Sequence, residues 1–485
     1  MVFTSLTFLL FFTTFFFLYW FVFKENVTLQ NLLVLIASYL FYSWADWRFL
    51  SLLICISILN YYLGIYIEKS TKPKIKNLLL YVGLIQGIGV LAFFKYFNFF
   101  IDSFNEVFHA LNIHWNIHTL NIIIPLGISF FTFRTISYLL DIDKGKIHAT
   151  KDWIVFFSYV AFFPSLLSGP IDKAKTLIPQ LEQKRIFDHD SATDGMRQIL
   201  WGLFKKLVIA DNCATITNPI FEGHSGLPAS TLLVGAFLYS IQVYADFSGY
   251  SDMAIGFSRL IGFNITKNFD FPFFAQNIAE FWRKWHISLT SWVTEYVFTP
   301  LSIKFRDYNN FGLILAIVIN LTIVGIWHGA KWTNIFYGFI HGCYFIPLII
   351  FGTMNKKKRI AKDKLLPSFR EFINVLGTFS LVMFTFIIFR SESVIEAFHY
   401  YRELFSLSIF SVPHISSDKY SATITVLSIF IMFAIEWLGR EQDHALSQFG
   451  FKWPKPVLWS FYYLIVFTIL VFGSFENRQF IYSQF

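Results

Sequence analysis

Long uncharged apolar stretches alternate along the chain with short polar loops. The first covers residues 1–23, and no basic residue precedes Lys24, so we expect a retained helix rather than a signal peptide. Eleven more follow, and most reach or approach the ~20 residues that a helix needs to cross a bilayer. They do not alternate apolar and polar residues as the strands of a membrane barrel do, so the pattern predicts membrane helices. The stretches lie at 26–45, 49–67, 77–94, 118–133, 154–171, 225–245, 311–330, 332–355, 373–389, 420–435 and 456–475.

Two central regions contain helix-breaking residues. Pro164 and the Gly169-Pro170 pair interrupt 154–171, and broken backbone at membrane depth is tolerated only inside protein or beside a water-filled cavity. A full crossing would also put the basic region 172–206 outside. We therefore predict that 154–171 is re-entrant and that 246–300 is partly embedded. These two regions should frame the reaction chamber.

Lysine and arginine in the short loops predict the orientation, because cytoplasmic loops carry an excess of both. The loops at 68–76 and 356–370 are rich in them, so we expect both to face the cytoplasm. The 102–117 loop lies in a region without either residue and should face outward. Counting back from the 68–76 loop places the N-terminus outside.

The composition supports a polytopic membrane protein. Of the 485 residues, 55% are hydrophobic and only 14% are charged, against about 25% in a typical soluble domain. The net charge of +8 comes from residues in short loops, so it does not indicate nucleic-acid binding. Cys55, Cys213 and Cys343 lie far apart, a spacing that fits neither a zinc site nor a disulfide framework.

One ionisable residue inside an apolar stretch is His328, in the segment Gly325-Ile326-Trp327-His328-Gly329-Ala330. Ionisable groups inside a membrane are costly and are candidates for functional sites. The small residues around His328 would let a substrate or another backbone approach closely. A structural histidine bonded to a neighbouring helix explains the segment equally well. His341 lies 13 residues later, off any shared helical face, and is predicted to be structural.

A second candidate is His286, in the segment 280–290. Read as one helix, the segment places His286 on a face with Trp282 and Leu289 and allows an i,i+4 ion pair between Glu280 and Lys284. An aromatic helix with basic residues also describes an interfacial membrane anchor.

A third candidate is the polar segment 242–252, which directly follows an apolar stretch. Its carboxylates and hydroxyls, including Asp246, Ser248 and Tyr250, could line a polar cavity. A helix break capped by Asp or Ser explains them almost as well.

Together these segments resemble the membrane-bound O-acyltransferase family, and within it the alginate O-acetyltransferase-like branch. The resemblance covers nearly the whole chain, and the ordered set is more specific than any single piece. It is carried by MVFTSLTFLLFF (1–12), FFKYFNFF (93–100), IPLGISFFTFRTISYLLDI (124–142), FFPSLLSGPI (162–171), YADFSGYSDMAIGF (244–257), AEFWRKWHISLTSWV (279–293), GIWHGAKWTNIFYGFIHG (325–342) and FIYSQF (480–485).

The resemblance implies an all-α membrane fold, a ring of roughly ten to twelve helices around embedded central segments. It implies a single domain over 1–485, with N-terminal helices (1–150), a catalytic core (151–355) and C-terminal helices (356–485). It makes His328 the leading catalytic residue and His286 the second. The neighbouring residues expected to bind substrate are Asp246, Ser248, Tyr250, Trp282, Trp285 and Trp327.

The implied reaction is acyl transfer, for which histidine is a suitable base because its pKa lies near neutrality. The expected donor is acetyl-CoA or an acyl-carrier thioester, used as a substrate, with no bound cofactor or metal. The expected acceptor is an extracytoplasmic acetyltransferase partner or a cell-envelope polysaccharide, at a bacterial inner membrane. Alternatives are D-alanyl transfer to teichoic acid, a transporter of lipid-linked glycans, and a non-catalytic scaffold, against which the intact Trp-His-Gly segment speaks.

Overall fold

A computed structural model describes residues 1–113, 117–356, 359–415 and 418–475, and all regular secondary structure within them is helical. Lys357 and Lys358 of the basic loop, and the closing segment 480–485, lie outside the described residues. The chain divides into two compact units. The N-terminal unit consists of Met1–Gly195 with Phe257–Thr266, and the C-terminal unit of Met196–Gly256 with Lys267–Phe485.

The N-terminal unit is built from the first nine helices, and π-helical turns extend α1 over Leu18–Val22 and join α4 to α5 over Ala92–Tyr96. The helices are α1 (Leu6–Phe17), α2 (Val27–Asp46), α3 (Leu50–Lys69), α4 (Pro73–Leu91), α5 (Phe97–Ala110), α6 (Ile128–Asp143), α7 (Trp153–Ala161), α8 (Phe163–Leu166) and α9 (Ala174–Glu182).

The remaining helices belong mainly to the C-terminal unit, and a π-helical segment, Phe204–Ala210, joins the first two of them. They are α10 (His189–Leu203), α11 (Asp211–Glu222), α12 (Ala229–Leu260), α13 (Ile278–Lys284), α14 (Ile287–Val293), α15 (Thr299–Lys304), α16 (Asn309–His328), α17 (Trp332–Cys343), α18 (Ile346–Ile350), α19 (Phe369–Arg390), α20 (Val394–Leu404), α21 (Lys419–Leu438) and α22 (Lys455–Phe472).

Within the described part of the chain, seven helical stretches are long and apolar enough to cross a membrane, and Leu6–Val22 is a shorter apolar helix. The protein is therefore a multi-pass membrane protein, as the composition predicts. The count of ten to twelve crossings stays a prediction. The seven stretches are Val27–Lys69, Pro73–Ala110, Arg306–His328, Trp332–Ile350, Phe369–Arg390, Lys419–Leu438 and Lys455–Phe472.

The interrupted segment 154–171 folds back on itself inside the N-terminal unit. It consists of the two short helices α7 and α8. At the turn between the two helices the backbone N–H of Phe163 donates to Ser38 Oγ, in the middle of α2, at 3.1 Å. The flanking chain meets again, because Thr150 Oγ1 donates to Glu182 Oε1 at 3.4 Å. The chain thus returns at residue 182 to its position at residue 150, with α9 on the return path. That 154–171 is re-entrant in a membrane stays a prediction.

Two predicted boundaries in this unit are wrong. The uncharged stretch 118–133 is helical only from Ile128, and α6 continues through the fully buried Arg134 to Asp143. A buried arginine is tolerated there because its guanidinium satisfies backbone oxygens left without partners at the break after α7. Its hydrogen bonds are to the carbonyls of Tyr159, Val160 and Ser165. The expected 102–117 loop is also shorter, because α5 extends to Ala110.

Candidate active site

The polar segment 242–252 lies inside α12, which runs without interruption from Ala229 to Leu260. The alternative of a helix break in this segment is therefore wrong. Gly249 allows close helix packing instead, since a Cβ at this position would lie 2.8 Å from the carbonyl oxygen of Gly202. Ser248 is buried in this helix, and Tyr250 is partly buried.

Buried ion pairs explain the acidic residues of α12. The π-helical segment before α11 supplies two adjacent lysines, and Lys205 Nζ lies 2.5 Å from Asp252 Oδ2. Lys206 Nζ lies 2.8 Å from both Asp246 and Asp211. Asp246 therefore has a structural partner beside its predicted role in binding substrate. Sequence reasoning missed the lysines, whose one signal was their position within the apolar run Phe204–Ala210.

The ion-pair cluster includes a glutamate from a candidate span. Tyr244 on α12 donates its hydroxyl to Glu436 on α21, with 2.9 Å to each carboxylate oxygen. Lys205 lies 3.8 Å from the same carboxylate. Buried charges are tolerated when they are paired in this way. The cluster therefore ties α12 and α21 to the π-helical segment.

His286 lies at a sharp break between α13 and α14, with left-handed backbone angles φ 46° and ψ 54°. The single helix predicted over 280–290 is therefore wrong, although its ion pair between Glu280 and Lys284 is confirmed at 3.1 Å. Positive φ is uncommon outside glycine, and such residues cluster at active sites. Asn268 holds the break, because its carbonyl accepts the N–H of Ile287 at 2.8 Å.

The structure brings both predicted histidines to one indole ring. The ring centroid of Trp327 lies 5.6 Å from that of His286 and 5.0 Å from that of His328. The ring centroid of Phe247 lies 4.6 Å from that of His286, and the ring centroid of Phe389 lies 5.5 Å from that of His328. His286 is fully buried, and His328 is 3% exposed. Burial, and then electrostatic repulsion between the protonated forms of His286 and His328, lowers the pKa of His286, which lies outside the seven candidate spans.

His328 ends α16, which packs closely against α17. A Cβ on Gly325 would lie 2.2 Å from the carbonyl oxygen of Asn334, and one on Gly338 would lie 2.3 Å from that of Leu321. The sequence suggests that the small residues near His328 allow either a substrate or another backbone to approach. The structure shows the approach of another backbone, that of α17.

The other predicted tryptophans pack around this site. Trp282 donates its indole N–H to His341 Nδ1 at 3.2 Å, and Thr385 Oγ1 lies 2.9 Å from His341 Nε2. Both nitrogens of His341 thus have partners, which agrees with its predicted structural role. Trp285 is buried and stacks on Phe281, with ring centroids 5.3 Å apart. The segment 280–290 is therefore largely a buried core element, which does not fit the alternative of an interfacial anchor.

A polar cavity of about 580 Å³ lies beside α13, the helix that leads into Trp285 and His286. Two of its cations are paired within the lining, Lys284 with Glu280 and Lys267 with Asp270. The complete set of cations in the lining is Lys267, Arg283, Lys284, Arg359 and Arg440; its anions are Asp270, Glu280, Glu441 and Asp443.

Comparison with known proteins identifies relatives over most of the chain. Residues 146–389, which contain both histidines, match the model of the membrane-bound O-acyltransferase family. "Probable alginate O-acetylase AlgI" of Azotobacter vinelandii is 34% identical, over 82% of this chain and 77% of that protein. "Peptidoglycan O-acetyltransferase" of Helicobacter pylori is 30% identical, over 95% and 86%. "Teichoic acid D-alanyltransferase" of Streptococcus thermophilus is 31% identical, over 54% and 68%. The chain therefore belongs to the membrane-bound O-acyltransferase family, in its alginate O-acetylase-like branch, and is an O-acyltransferase.

Proposed function

We propose that this protein is a bacterial inner-membrane O-acetyltransferase that moves an acetyl group from a cytoplasmic thioester to an extracytoplasmic acceptor, with His328 as the catalytic base. The observation that carries the proposal is the pair of buried histidines that both contact the ring of Trp327, inside the region that matches the family.

The reaction needs one group that moves a proton. The acceptor hydroxyl loses its proton to the neutral imidazole of His328 as its oxygen attacks the thioester carbonyl carbon. The carbon–sulfur bond then breaks, and the imidazolium returns the proton to the leaving thiolate, so atoms and charge balance. A general base of this kind contributes typically 10²–10⁴-fold to the rate. Transient transfer of the acetyl group to His328 itself is a second form of the same mechanism.

His286 and the residues around it have a positioning role in this proposal. The backbone break at His286 and the contact of its ring with Trp327 fix the orientation of the His286 imidazole. Trp282, Trp285 and Trp327 then form the apolar wall, and Asp246, Ser248 and Tyr250 are the candidates for polar contacts with substrate.

The cavity beside α13 supports a thioester donor that carries phosphate groups. Arg283 and Arg359 add positive charge to its lining, and Arg359 belongs to the basic 356–370 loop that we predict to be cytoplasmic. Coenzyme A and the phosphopantetheine arm of a carrier protein both carry phosphate and are both made in the cytoplasm. The donor would act as a substrate, with no resident cofactor.

The names of the relatives support a cell-envelope acceptor. Alginate and peptidoglycan, which two of them name, are polysaccharides outside the cytoplasm. The acetyl group would pass to such a glycan directly or through an extracytoplasmic acetyltransferase. D-alanyl transfer has less support, because the D-alanyltransferase match covers 54% of the chain.

The test is the acetyl content of the extracellular glycan in a deletion strain complemented with each variant, with protein measured in membranes. We expect His328→Ala to lower acetylation by about 10²–10⁴-fold at normal protein level. The control is His109→Ala, the same change at an exposed histidine, which should leave acetylation unchanged. Wild-type acetylation by a well-expressed His328→Ala protein would refute the mechanism. Movement of glycan without acetyl exchange from labelled donor would identify a transporter.

A further inference from the structure

A groove of about 470 Å³ lies in the N-terminal unit at the point where the apolar helix Leu6–Val22 ends. One wall is formed by Phe16, Trp20 and Phe21 with the following Lys24 and Glu25. The other wall is the loop segment 184–187, between α9 and α10. The lining of the groove therefore combines aromatic residues, including Phe16, Trp20 and Phe21, with a charged rim formed by Lys24, Glu25, Lys184 and Arg185.

The loop exposes apolar side chains in a polar sequence. Ile186 is 79% exposed and Phe187 is 46% exposed, although the residues around them from Glu182 to Asp190 are mostly charged or polar. Phe187 also packs edge-to-face on Trp20, with ring centroids 5.4 Å apart. Large apolar side chains exposed together mark a site that meets another apolar surface.

The rim of the groove carries more positive than negative charge. Lys24, Lys184 and Arg185 face one acidic residue, Glu25. Lys184 Nζ lies 2.8 Å from Glu25, and both side chains are largely exposed. The guanidinium of Arg185 is committed to the protein through its bonds to Gln30 Oε1 at 3.1 Å and Asn31 Oδ1 at 2.8 Å. The accessible cations are therefore Lys24 and Lys184, of which Lys184 shares its charge with Glu25.

The position of the groove favours a lipid over a soluble anion. The groove lies where the apolar helix Leu6–Val22 ends and the candidate span Val27–Lys69 begins. The end of a span lies at the level of the lipid headgroups, where lysines meet phosphate and aromatic rings meet acyl chains. The helix hairpin of α2 and α3 puts this end on the same side as the 68–76 loop, which we predict to be cytoplasmic. The cytoplasmic leaflet carries anionic lipids that attract basic residues.

We propose that this groove binds one anionic phospholipid, with the phosphate beside Lys24 and Lys184 and an acyl chain against Phe21, Ile186 and Phe187. The lipid would cover the exposed apolar side chains of the loop that follows the re-entrant segment. None of the residues that line the groove belongs to the histidine site, so the proposal does not depend on the proposed reaction.

The experiment uses the full-length protein in nanodiscs that contain a phosphatidylglycerol with a photoactivatable group in one acyl chain. Labelled peptides are mapped by mass spectrometry, with a matched phosphatidylcholine probe in parallel. We expect phosphatidylglycerol to label the peptides around 16–25 and 184–187 more strongly than phosphatidylcholine does. Lys24→Gln should reduce this labelling about fivefold, the factor expected for one basic residue near an anionic lipid surface.

Two further variants keep the test specific. Lys72→Gln removes an exposed cation from the loop 70–72, which does not line the groove, and should leave labelling of the groove unchanged. Ile186→Ser should reduce labelling by both lipids, because it removes apolar contact. Equal labelling by the two lipids, or labelling insensitive to Lys24→Gln, would overturn the proposal. Loss of labelling on adding coenzyme A or soluble glycerol phosphate would also overturn it, since the groove would then be a site for a soluble anion.

Discussion

Ser288 donates its hydroxyl hydrogen to the side-chain oxygen of Asn268 at 2.6 Å. Because Ser288 comes two residues after His286, this bond helps to fix α14 directly behind the left-handed residue. Asn268 also bonds Ser251 on α12 through its side-chain nitrogen, at 3.1 Å. One buried asparagine thus couples the orientation of the second histidine to α12.

Replacing His286 should separate its chemical role from its backbone role. Asn, like His, is enriched among residues with positive φ, whereas for most L-residues this conformation costs about 1–2 kcal/mol. We expect His286→Asn and His286→Ala to lose acetyl transfer alike. His286→Asn should keep more protein folded in membranes and unfold at a higher temperature. Measuring acetylation and thermal stability together checks this. Full activity of either variant would show that the imidazole has no role.

Adding one methyl group at Gly325 should separate α16 from α17. A Cβ there would lie 2.2 Å from the carbonyl oxygen of Asn334, so Gly325→Ala forces the helices apart. Overpacking typically costs 1–3 kcal/mol, occasionally more. The matched control is Gly377→Ala on α19, where an added Cβ would have no atom within 4 Å. This substitution should stabilise the helix by about 1 kcal/mol, because alanine has a higher helix propensity than glycine. Thermal unfolding of the purified variants measures both. Equal stability of the two would contradict the close packing near His328.

The buried ion pairs predict an order of destabilisation. Lys206→Met removes the cation that Asp246 and Asp211 share, and breaking a buried pair costs about 3–5 kcal/mol. Asp246→Asn should cost less, because Lys206 keeps Asp211. The control Arg306→Met breaks an exposed pair with Asp307, worth about 0–1 kcal/mol. Unfolding temperatures in one detergent should follow this order, and a reversed order would show that Asp246 carries the larger share.

Labelling of single cysteines should test the orientation and the re-entrant segment together. In a background without Cys55, Cys213 and Cys343, we expect Lys72→Cys and Lys175→Cys to be protected from an impermeant maleimide in intact cells. Asn112→Cys should react. All three positions are exposed in the structure. Reaction of Lys175→Cys from outside, with Lys72→Cys still protected, would mean that 154–171 crosses the membrane fully.

Much of the fold could be predicted from uncharged stretches, because a bilayer imposes length and apolarity on each crossing. Prediction from uncharged stretches fails where a charged side chain is paired or hydrogen-bonded inside the protein. Because of Arg134, the uncharged stretch ends before α6 does. Asp246 suggests a helix end, but its ion pair with Lys206 allows it to lie inside α12. The histidines were identified through their sequence context. The break at His286 was missed because segment 280–290 contains no glycine or proline, and because its cause, Asn268, lies 18 residues earlier.

The two adjacent lysines of the π-helical segment fix α12 at two positions six residues apart, Asp246 and Asp252. Lys206 holds Asp246 and Lys205 holds Asp252, so α12 can neither slide by a turn nor rotate without losing one pairing. The number of residues between these aspartates is therefore constrained more strongly than their identity. One inserted residue would turn the downstream part of the helix by about 100° and raise it by about 1.5 Å. Such an insertion would move one aspartate off its lysine while every side chain of the original sequence remained present.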